Sequence, residues 1–214
     1  MAIVQNPITG RTKKKFGSAV FSKQFGKNTM RTKPIEVSNP KTLKQRQQRA
    51  KFSLMVELSR MFLGFIRIGF KQVSIEMSQF NSFMKYNILN VISGVYPDYV
   101  IDFTKLIVSK GTLTGADEGA CVAEAGHKIS TTWTDNSGYG DALPTDKAMV
   151  LVLNYDKKGE KHETELKTRA DGLCEVIVPV SWVGNDVHVY LSFITEAGDK
   201  VSDSVFLGTE TVLA

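Results

Sequence analysis

Cysteine and histidine are scarce, with two cysteines and three histidines among the 214 residues. Cys121 and Cys174 lie far apart and outside the spacing of zinc ligands, so we expect two unpaired thiols, with a single disulfide as the alternative. His127, His162 and His188 are equally scattered, which favours ordinary surface or core roles over metal binding. The sequence thus predicts no metal site and no cofactor.

The sequence also lacks a long uncharged apolar run. Its longest apolar segment, residues 54–70, carries Glu57, Arg60 and Arg67, and charges inside a segment argue against a membrane span. The opening stretch MAIVQNPITGRTKKK has no apolar core of the kind that secretory signals need. We therefore expect neither a signal peptide nor a membrane partner.

Familiar catalytic motifs are missing as well. There is no GxSxG, HExxH or GxxxxGK(S/T) pattern, which argues against the common hydrolases, zinc proteases and nucleotide-binding loops. Asp135, Asn136, Asp141 and Asp146 carry oxygen ligands that suit calcium, but their spacing is not that of an EF-hand. A turn-rich connection between strands is the favoured interpretation, and the sequence predicts a protein that is not an enzyme.

Acidic residues are nearly absent from the first part of the chain. Residues 1–85 hold 17 Lys and Arg against 3 Asp and Glu, whereas residues 86–214 hold 10 against 19. The formal charge of +5 therefore combines a basic front of +14 with an acidic back of −9. A basic segment of this strength indicates an anionic partner, either phosphate or an acidic protein surface. The residues predicted to make these contacts are Arg11, Lys13, Lys14, Lys15, Lys23, Lys27, Arg31, Lys33, Arg46 and Arg49.

Residues 1–41 are predicted to form an extended basic arm. They contain too few apolar residues to fold alone, although the stretch from Gly17 to Phe25 could pair as a short hairpin strand. We expect the arm to become ordered when it lies against a partner, and a solvated tail without a partner is the simplest alternative.

A long helix is predicted to begin at Thr42 and to end near Gln72. Thr42 and Gln45 form the pattern of a capping box, in which each side chain bonds the backbone amide of the other residue. Beyond Ala50 the helix is apolar on most sides, so its own domain, neighbouring subunits or both must bury it. The residues predicted to pack against another subunit are Phe52, Met55, Phe62, Phe65, Ile66 and Phe70.

A second helix is predicted over about 77–92, which completes a helical region of residues 42–97. From residue 98 onward, short stretches of period-two alternation separated by Gly, Asn and Asp predict an antiparallel, immunoglobulin-like sandwich over 98–214. The predicted class is therefore α+β, with an extended arm, two α-helices of which one is long, and a C-terminal sandwich. The predicted strands lie near 99–103, 105–109, 127–134, 147–155, 161–168, 173–178, 187–195 and 200–207.

The segment Asn39-Pro40-Lys41-Thr42-Leu43-Lys44-Gln45, continued by Arg49 and Phe52, resembles the N-terminal NPxTxxQxxxRxxF block of a large uncharacterised family of bacteria and their phages. The resemblance covers essentially the whole chain and implies two helices followed by a sandwich, without an established activity. It departs at residues 10–15, where many members are richer in glycine and less basic. The short NPxTxxQ signature is also similar to segments of phage virion proteins.

These observations lead to one main hypothesis and two alternatives. The main hypothesis is a non-enzymatic virion structural protein of a bacteriophage, an oligomeric ring or connector subunit at the portal–tail junction, with portal or other ring proteins as neighbours and DNA nearby. The first alternative is a nucleic-acid-binding protein that uses the basic arm and the first helical turns. The second is a ligand- or carbohydrate-binding sandwich with Trp133, Tyr139 or Trp182 as a stacking platform.

Overall fold

The chain divides into two compact units, Met1–Gln45 and Arg46–Ala214, which we call the N-terminal unit and the C-terminal unit. Both contain antiparallel β-sheet, and the helices extend from residue 43 to residue 87. The structure is a computed structural model that describes residues 2–3, 14–24, 26–36 and 39–214.

The N-terminal unit contains a four-stranded sheet of β1 Ala2–Ile3, β2 Lys14–Phe16, β3 Ala19–Gln24 and β4 Lys27–Thr32. Its strand order is β1-β4-β3-β2, and β3 is the short strand expected within residues 17–25. Pairing of β3 with β4 sets Phe21 opposite Met30 and Ser22 opposite Thr29. The prediction of an arm without structure of its own is corrected for these residues, because backbone hydrogen bonds between strands order them despite few apolar side chains.

The long helix predicted from Thr42 is divided into two. α1 spans Leu43–Met61 and α2 spans Leu63–Gly69. Between them, Phe62 has a φ of −128° and a ψ of 39°, outside the helical range. The Phe62 ring is fully buried and packs edge-on against Phe83, with 5.6 Å between the ring centroids. The break in the helix therefore coincides with an anchor in the core.

The capping box predicted at the start of α1 is half formed. The Gln45 amide donates to the Thr42 hydroxyl over 3.4 Å. In return, Gln45 Oε1 accepts no hydrogen bond from any described residue. The start of α1 is therefore held by one capping bond rather than by two.

α3 spans Gln79–Asn87 and is shorter than the predicted 77–92. Its start is set by the Ser78 hydroxyl, which accepts from the Asn81 amide at 3.2 Å. Its end gives way to a two-stranded hairpin of β5 Ile92–Val95 and β6 Asp98–Ile101. No helix in the described part of the chain has the length and apolar composition that crossing a membrane requires.

The C-terminal unit continues with β7 Asp117–Glu124, β8 Lys128–Thr134, β9 Lys147–Asn154, β10 Gly159–Glu163, β11 Leu173–Ile177, β12 Asp186–Ile194 and β13 Val205–Thr211. They form two antiparallel sheets, ordered β11-β8-β7 and β10-β9-β12-β13. Seven strands divided into sheets of three and four around a shared core are an immunoglobulin-like sandwich, here with the fourth strand paired to the third. The predicted α+β class with a C-terminal antiparallel sandwich is confirmed.

Several predicted strands differ from the observed ones; for example, the strand predicted over 161–168 is observed as β10 and ends at Glu163. The stretch 105–109 follows a single 3₁₀ turn, Phe103–Lys105, and forms no strand. β7 was not predicted, because its sequence DEGACVAE mixes small and acidic residues where strands favour β-branched and aromatic ones. The last strand begins at Val205, since Val201 and Ser202 make only isolated bridges.

β9 joins two hydrophobic cores because it is buried on both faces. Its even-numbered residues from 148 to 152 belong to the core between the two sheets, and its odd-numbered residues from 149 to 153 belong to the core shared with the helices. Burial on both faces explains the continuous apolar run of this strand. The C-terminal unit therefore has three layers, namely helices, the four-stranded sheet and the three-stranded sheet.

This layering corrects the prediction that the apolar helix residues pack against another subunit. Five of the six side chains are fully buried, because they belong to a core that the helices share with the four-stranded sheet of the same chain. Phe52 differs, since 47% of its surface is exposed and available to a partner. The five residues of the chain's own core are Met55, Phe62, Phe65, Ile66 and Phe70.

Candidate functional site

The predicted basic contacts of the N-terminal unit lie in and beside its sheet. Lys23, Lys27, Arg31 and Lys33 are all exposed. Because successive side chains of a strand point to opposite faces, Lys23 shares a face with Phe21, while Arg31 lies on the other face. The sheet therefore presents cations on both of its faces.

The remaining predicted contacts belong to β2 and α1. Lys14 and Lys15 are in β2, and Arg46 and Arg49 are exposed on the first turns of α1. The described cations are thus spread over a sheet and a helix rather than gathered at one point. Outside the described residues lie Arg11 and Lys13.

The two units carry net charges of opposite sign. Met1–Gln45 contains ten Lys and Arg and one acidic residue, whereas Arg46–Ala214 contains 17 and 21. The N-terminal unit therefore carries a formal charge of +9 and the C-terminal unit a charge of −4. The unit with the net positive charge also has fewer buried side chains among its described residues.

A groove of about 770 Å³ opens at one end of the sandwich. Its walls come from the β8–β9 connection, residues 135–146, and from the β12–β13 connection, residues 195–204. The lining is mostly apolar, and it includes Leu113, Leu143 and Ala197. Leu143 is 56% exposed, so the groove offers apolar surface to a binding partner.

Three carboxylates and one ammonium group surround this lining, and we call the whole the acidic groove. Asp141 accepts from the amide and the hydroxyl of Thr114, both at 2.9 Å, and lies 3.5 Å from the Lys200 ammonium. These hydrogen bonds lower the pKa of Asp141, so it is anionic at neutral pH. Asp199 is bonded to a neighbouring threonine hydroxyl, whereas Glu196 makes no hydrogen bond or ion pair with any described residue. The groove therefore has a surplus of two negative charges.

Arg169 anchors the β8–β9 wall from inside the sandwich. Its guanidinium is fully buried, pairs with the buried Asp146 at 3.2 Å and stacks over the Phe193 ring at 3.8 Å. It also donates to Asn136 Oδ1 at 2.6 Å and to the Thr114 carbonyl at 2.9 Å. Burial lowers the pKa of Arg169, but a guanidinium stays charged at neutral pH. The wall of the groove is thereby tied to the core.

The residues considered as calcium ligands bind separate partners. Asp135 accepts from the Ser137 amide at 2.9 Å. Asn136 and Asp146 both bind the Arg169 guanidinium. Asp141 belongs to the acidic groove. No three metal-ligating side chains converge anywhere in the described ranges. The segment is a hydrogen-bonded connection between two strands, as its turn residues predict.

The cysteines and two of the histidines have packing roles. Cys121 and Cys174 are unpaired, as predicted, and burial raises the pKa of both thiols to about 11. Neither thiol is therefore ionised at neutral pH. His162 is bonded to Glu160 at 2.8 Å, and His188 stacks on an aromatic ring with 3.8 Å between the centroids.

The aromatic platform expected for sugar binding is corrected at two of its three positions. Trp133 and Trp182 are only 6% and 5% exposed, and the Trp133 indole donates to the Arg169 carbonyl at 2.8 Å. Because the core covers both rings, they cannot stack on an external ligand. Tyr139 is 76% exposed, so of the three predicted rings it alone is accessible.

Sequence reasoning missed the acidic groove. Its residues come from three separate parts of the chain, near positions 113, 141 and 196, and only the folded sandwich brings them together. The usable signal was local, because Asp141 and Glu196 lie beside small or apolar residues in connections between predicted strands. Connections at the end of a sandwich are common positions for binding residues.

The strand order and the helices that cover one sheet define an α+β protein with an immunoglobulin-like sandwich. The chain belongs to DUF6266, a family of unknown function, whose family model matches residues 11–208. No curated protein matches the chain significantly. Among solved structures it is similar to the fn3 domain of the human collagen alpha-1(XX) chain, with 17% identity and a TM-score of 0.36 over 47% of this chain and 87% of that chain. It is also similar to the fn3 domain of human contactin 1, with 8% identity and a TM-score of 0.35 over 50% and 84% of the two chains.

Proposed function

We propose that this protein is a non-enzymatic structural subunit that assembles with further copies of itself. In its specific form, the proposal is an oligomeric ring or connector subunit at the portal–tail (head-to-tail) junction of a bacteriophage virion, beside portal or other ring proteins. The N-terminal unit of one copy binds the C-terminal unit of the next.

The separation of charge between the two units carries this proposal. Unlike units of two copies attract each other, since one carries +9 and the other −4. Two N-terminal units repel each other, so the favoured contact joins different surfaces of two copies. A contact of that kind builds a closed ring when the rotations between successive subunits add up to a full turn, and it builds a filament when they do not.

Apolar packing between subunits contributes less than the sequence predicted. The helical side chains that were expected to meet a neighbour are covered by the chain's own sheet. Phe52 is the exposed exception, and its spacing from Arg49 places both on one face of α1. We therefore expect an assembly contact that is mainly electrostatic and sensitive to salt.

The mass of the full-length protein in solution tests the proposal. Light scattering or native mass spectrometry at several protein concentrations should show oligomers at about 0.05 M salt and dissociation at about 1 M, where charges are screened within about 3 Å. A monomer at every concentration in low salt would contradict the proposal. A ring seen by electron microscopy in purified phage particles, labelled through this protein, would support its specific form.

A pair of double variants separates assembly from a general effect of charge. Lys23→Glu with Arg31→Glu should abolish the low-salt oligomer, because it reverses the exposed charges of the N-terminal sheet. Lys157→Glu with Lys161→Glu makes the same change in net charge on the C-terminal unit and should leave the oligomer intact. Equal loss of assembly in both variants would show that net charge, and not the N-terminal unit, controls the oligomer.

Nucleic-acid binding is the second candidate, favoured by the exposed Lys23, Arg31 and Lys33 together with Arg46. Affinity for a DNA duplex should then fall linearly with salt on logarithmic axes, with a slope of about −0.9 for each neutralised phosphate. Replacing two of these cations should flatten the slope by about two units. Absence of DNA binding at about 0.05 M salt would exclude this candidate.

A further inference from the structure

We infer that the acidic groove at the end of the sandwich receives the N-terminal sheet of a second copy, through the face that carries Phe21 and Lys23. The inference rests on the proposed function and names the surface at which the copies meet. It also excludes the opposite face of the sheet, which carries Arg31, from the centre of the contact.

The groove has the chemistry of a surface that binds a mixed apolar and basic segment. Its apolar lining includes the half-exposed Leu143, and its carboxylates outnumber its cations by two. Glu196 is free to bind a cation, since it makes no hydrogen bond or ion pair with any described residue. The volume of about 770 Å³ is large enough for several side chains.

Hydrogen bonds hold both walls of the groove in place. The buried Arg169 holds the β8–β9 wall through hydrogen bonds to Asn136 and Asp146. The β12–β13 wall is held by the Lys71 ammonium, which donates to the Gly198 carbonyl at 2.8 Å. Walls that are already held in place lose less conformational entropy when a partner binds. This favours the groove as a recognition surface.

The N-terminal sheet offers the matching chemistry on one face. Phe21 lies opposite Met30 in the β3–β4 pair, and Met30 is 38% exposed. Lys23 follows two residues after Phe21 and therefore projects from the same face. This face combines apolar side chains with a cation, whereas the groove combines apolar side chains with carboxylates. Charge and apolar character are therefore complementary between two copies.

Single charge reversals in the full-length protein test the inference. Glu196→Lys should weaken the low-salt oligomer about tenfold, whereas Glu165→Lys, an equal change at an exposed site away from the groove, should change it less than about twofold. On the N-terminal sheet, Lys23→Glu should weaken assembly more than Arg31→Glu. The double variant Glu196→Lys with Lys23→Glu should recover most of the lost affinity, because the two charges are exchanged.

The possible outcomes separate this inference from the proposed function. If the unmodified protein is monomeric in low salt, the proposed function fails and the inference fails with it. If the protein assembles and Glu196→Lys assembles equally well, the groove is not the contact although the proposed function stands. Leu143→Ser provides a second groove variant if the thermal unfolding of Glu196→Lys departs from that of the unmodified protein. Occupation of the groove by the same copy's own N-terminal unit would leave monomers at all concentrations and would also overturn the inference.

Discussion

The two units of this chain differ in what holds them together. Thr29 is the one buried residue among the described side chains of the N-terminal unit, at 9% exposure, and the order of its sheet comes mainly from backbone pairing. The C-terminal unit contains two hydrophobic cores that share β9, and a buried ion pair. The buried cores that stabilise the molecule therefore lie in the C-terminal unit, and the net positive charge lies in the N-terminal unit.

Because of this difference, the two units are suited to different roles in binding and in stability. A charge of +9 within 45 residues repels itself, and self-repulsion disfavours compact states unless an anionic partner relieves it. A sheet with little buried apolar surface is also marginally stable by itself. The N-terminal unit is therefore suited to be stabilised by binding, while the C-terminal unit is stabilised by its own two hydrophobic cores. Substitutions in the two units should have very different effects on global stability.

The largest effect is expected for Arg169→Ala, which breaks the ion pair inside the sandwich. It leaves the Asp146 carboxylate buried without its cation, and the free energy of unfolding should fall by about 3–5 kcal/mol. Urea unfolding followed by tryptophan fluorescence measures the loss, since Trp133 donates to the Arg169 carbonyl.

Lys200→Ala is the matched control for that ion pair. It removes the cation of an exposed pair, Lys200–Asp141, whose atoms lie 3.5 Å apart, and it should cost less than about 1 kcal/mol. If Arg169→Ala cost no more than this control, the buried pair would not be a source of stability for the C-terminal unit.

The next largest effect is expected for Asn87→Ala, between α3 and the sandwich. The buried Asn87 amide donates to the Phe83 and Ile107 carbonyls, both at 2.9 Å, and its oxygen accepts from the Ile107 amide at 2.8 Å. Removing it leaves buried backbone groups unpaired and should cost about 2–3 kcal/mol. The exposed Asn90 makes one such bond, to Tyr86, so Asn90→Ala should cost about 0.5 kcal/mol. Equal losses of stability in the thermal unfolding of the two variants would show that the buried hydrogen bonds of Asn87 are dispensable.

Most of the C-terminal unit could be predicted from the sequence because its pattern and its packing agree. Alternating apolar residues in β12 predicted a strand with one face in the core, and Val187, Val189, Leu191 and Phe193 all belong to the core between the sheets. The break at Phe62 could not be predicted, since the residues around it form a continuous helical pattern. It coincides with a ring contact to Phe83, which only the folded chain provides.

The chemical character of the candidate site could be predicted from the sequence, but its position in the fold could not. The charge counts predicted a basic segment over residues 1–85 with an anionic partner, and ten of its 17 Lys and Arg residues lie in the N-terminal unit. The acidic groove could not be found in the same way, because Leu113, Asp141 and Glu196 are brought together by strand pairing over long distances in the chain. The Asp146 partner of Arg169 is equally hard to predict, since the sequence places Asp146 in a turn-rich connection.

Two glycines of α2 sharpen the comparison at a single helix. A Cβ atom at Gly69 would lie 2.7 Å from the Val108 carbonyl oxygen, so Gly69→Ala should cost about 1–3 kcal/mol. A Cβ atom at Gly64 would meet nothing within 4 Å, and Gly64→Ala should stabilise the helix by about 0.5 kcal/mol. Thermal unfolding of the two variants should therefore shift in opposite directions. A shift in the same direction would mean that close approach does not decide the residue at position 69.

A smaller effect is expected from acid titration of His188. Burial lowers the pKa of this imidazole from its ordinary value of 6.5, so the unfolded chain binds the proton more readily than the folded one. The contribution of His188 to the free energy of unfolding is therefore fully present above pH 6.5. The protein loses this contribution as the pH falls towards the folded-state pKa of His188. His188→Phe keeps the stacking on Phe103 and should reduce the loss of unfolding free energy between about pH 7.5 and pH 5.5. An unchanged loss would show that other groups cause the acid sensitivity.

The smallest effect on global stability is expected in the N-terminal unit itself. The Thr29 and Ser22 hydroxyls lie 2.7 Å apart across β3 and β4, yet Thr29→Val should change the main unfolding transition by less than about 0.5 kcal/mol. The matched change in the sandwich is Thr131→Val, which removes a fully buried hydroxyl that donates to the Cys174 carbonyl at 3.0 Å, and it should cost about 1 kcal/mol or more. Hydrogen exchange measured on the unmodified protein should also show faster exchange in β3 and β4 than in β9 and β12. Equal protection of the two sheets would mean that backbone pairing alone stabilises the N-terminal unit, and that it needs no partner to become rigid.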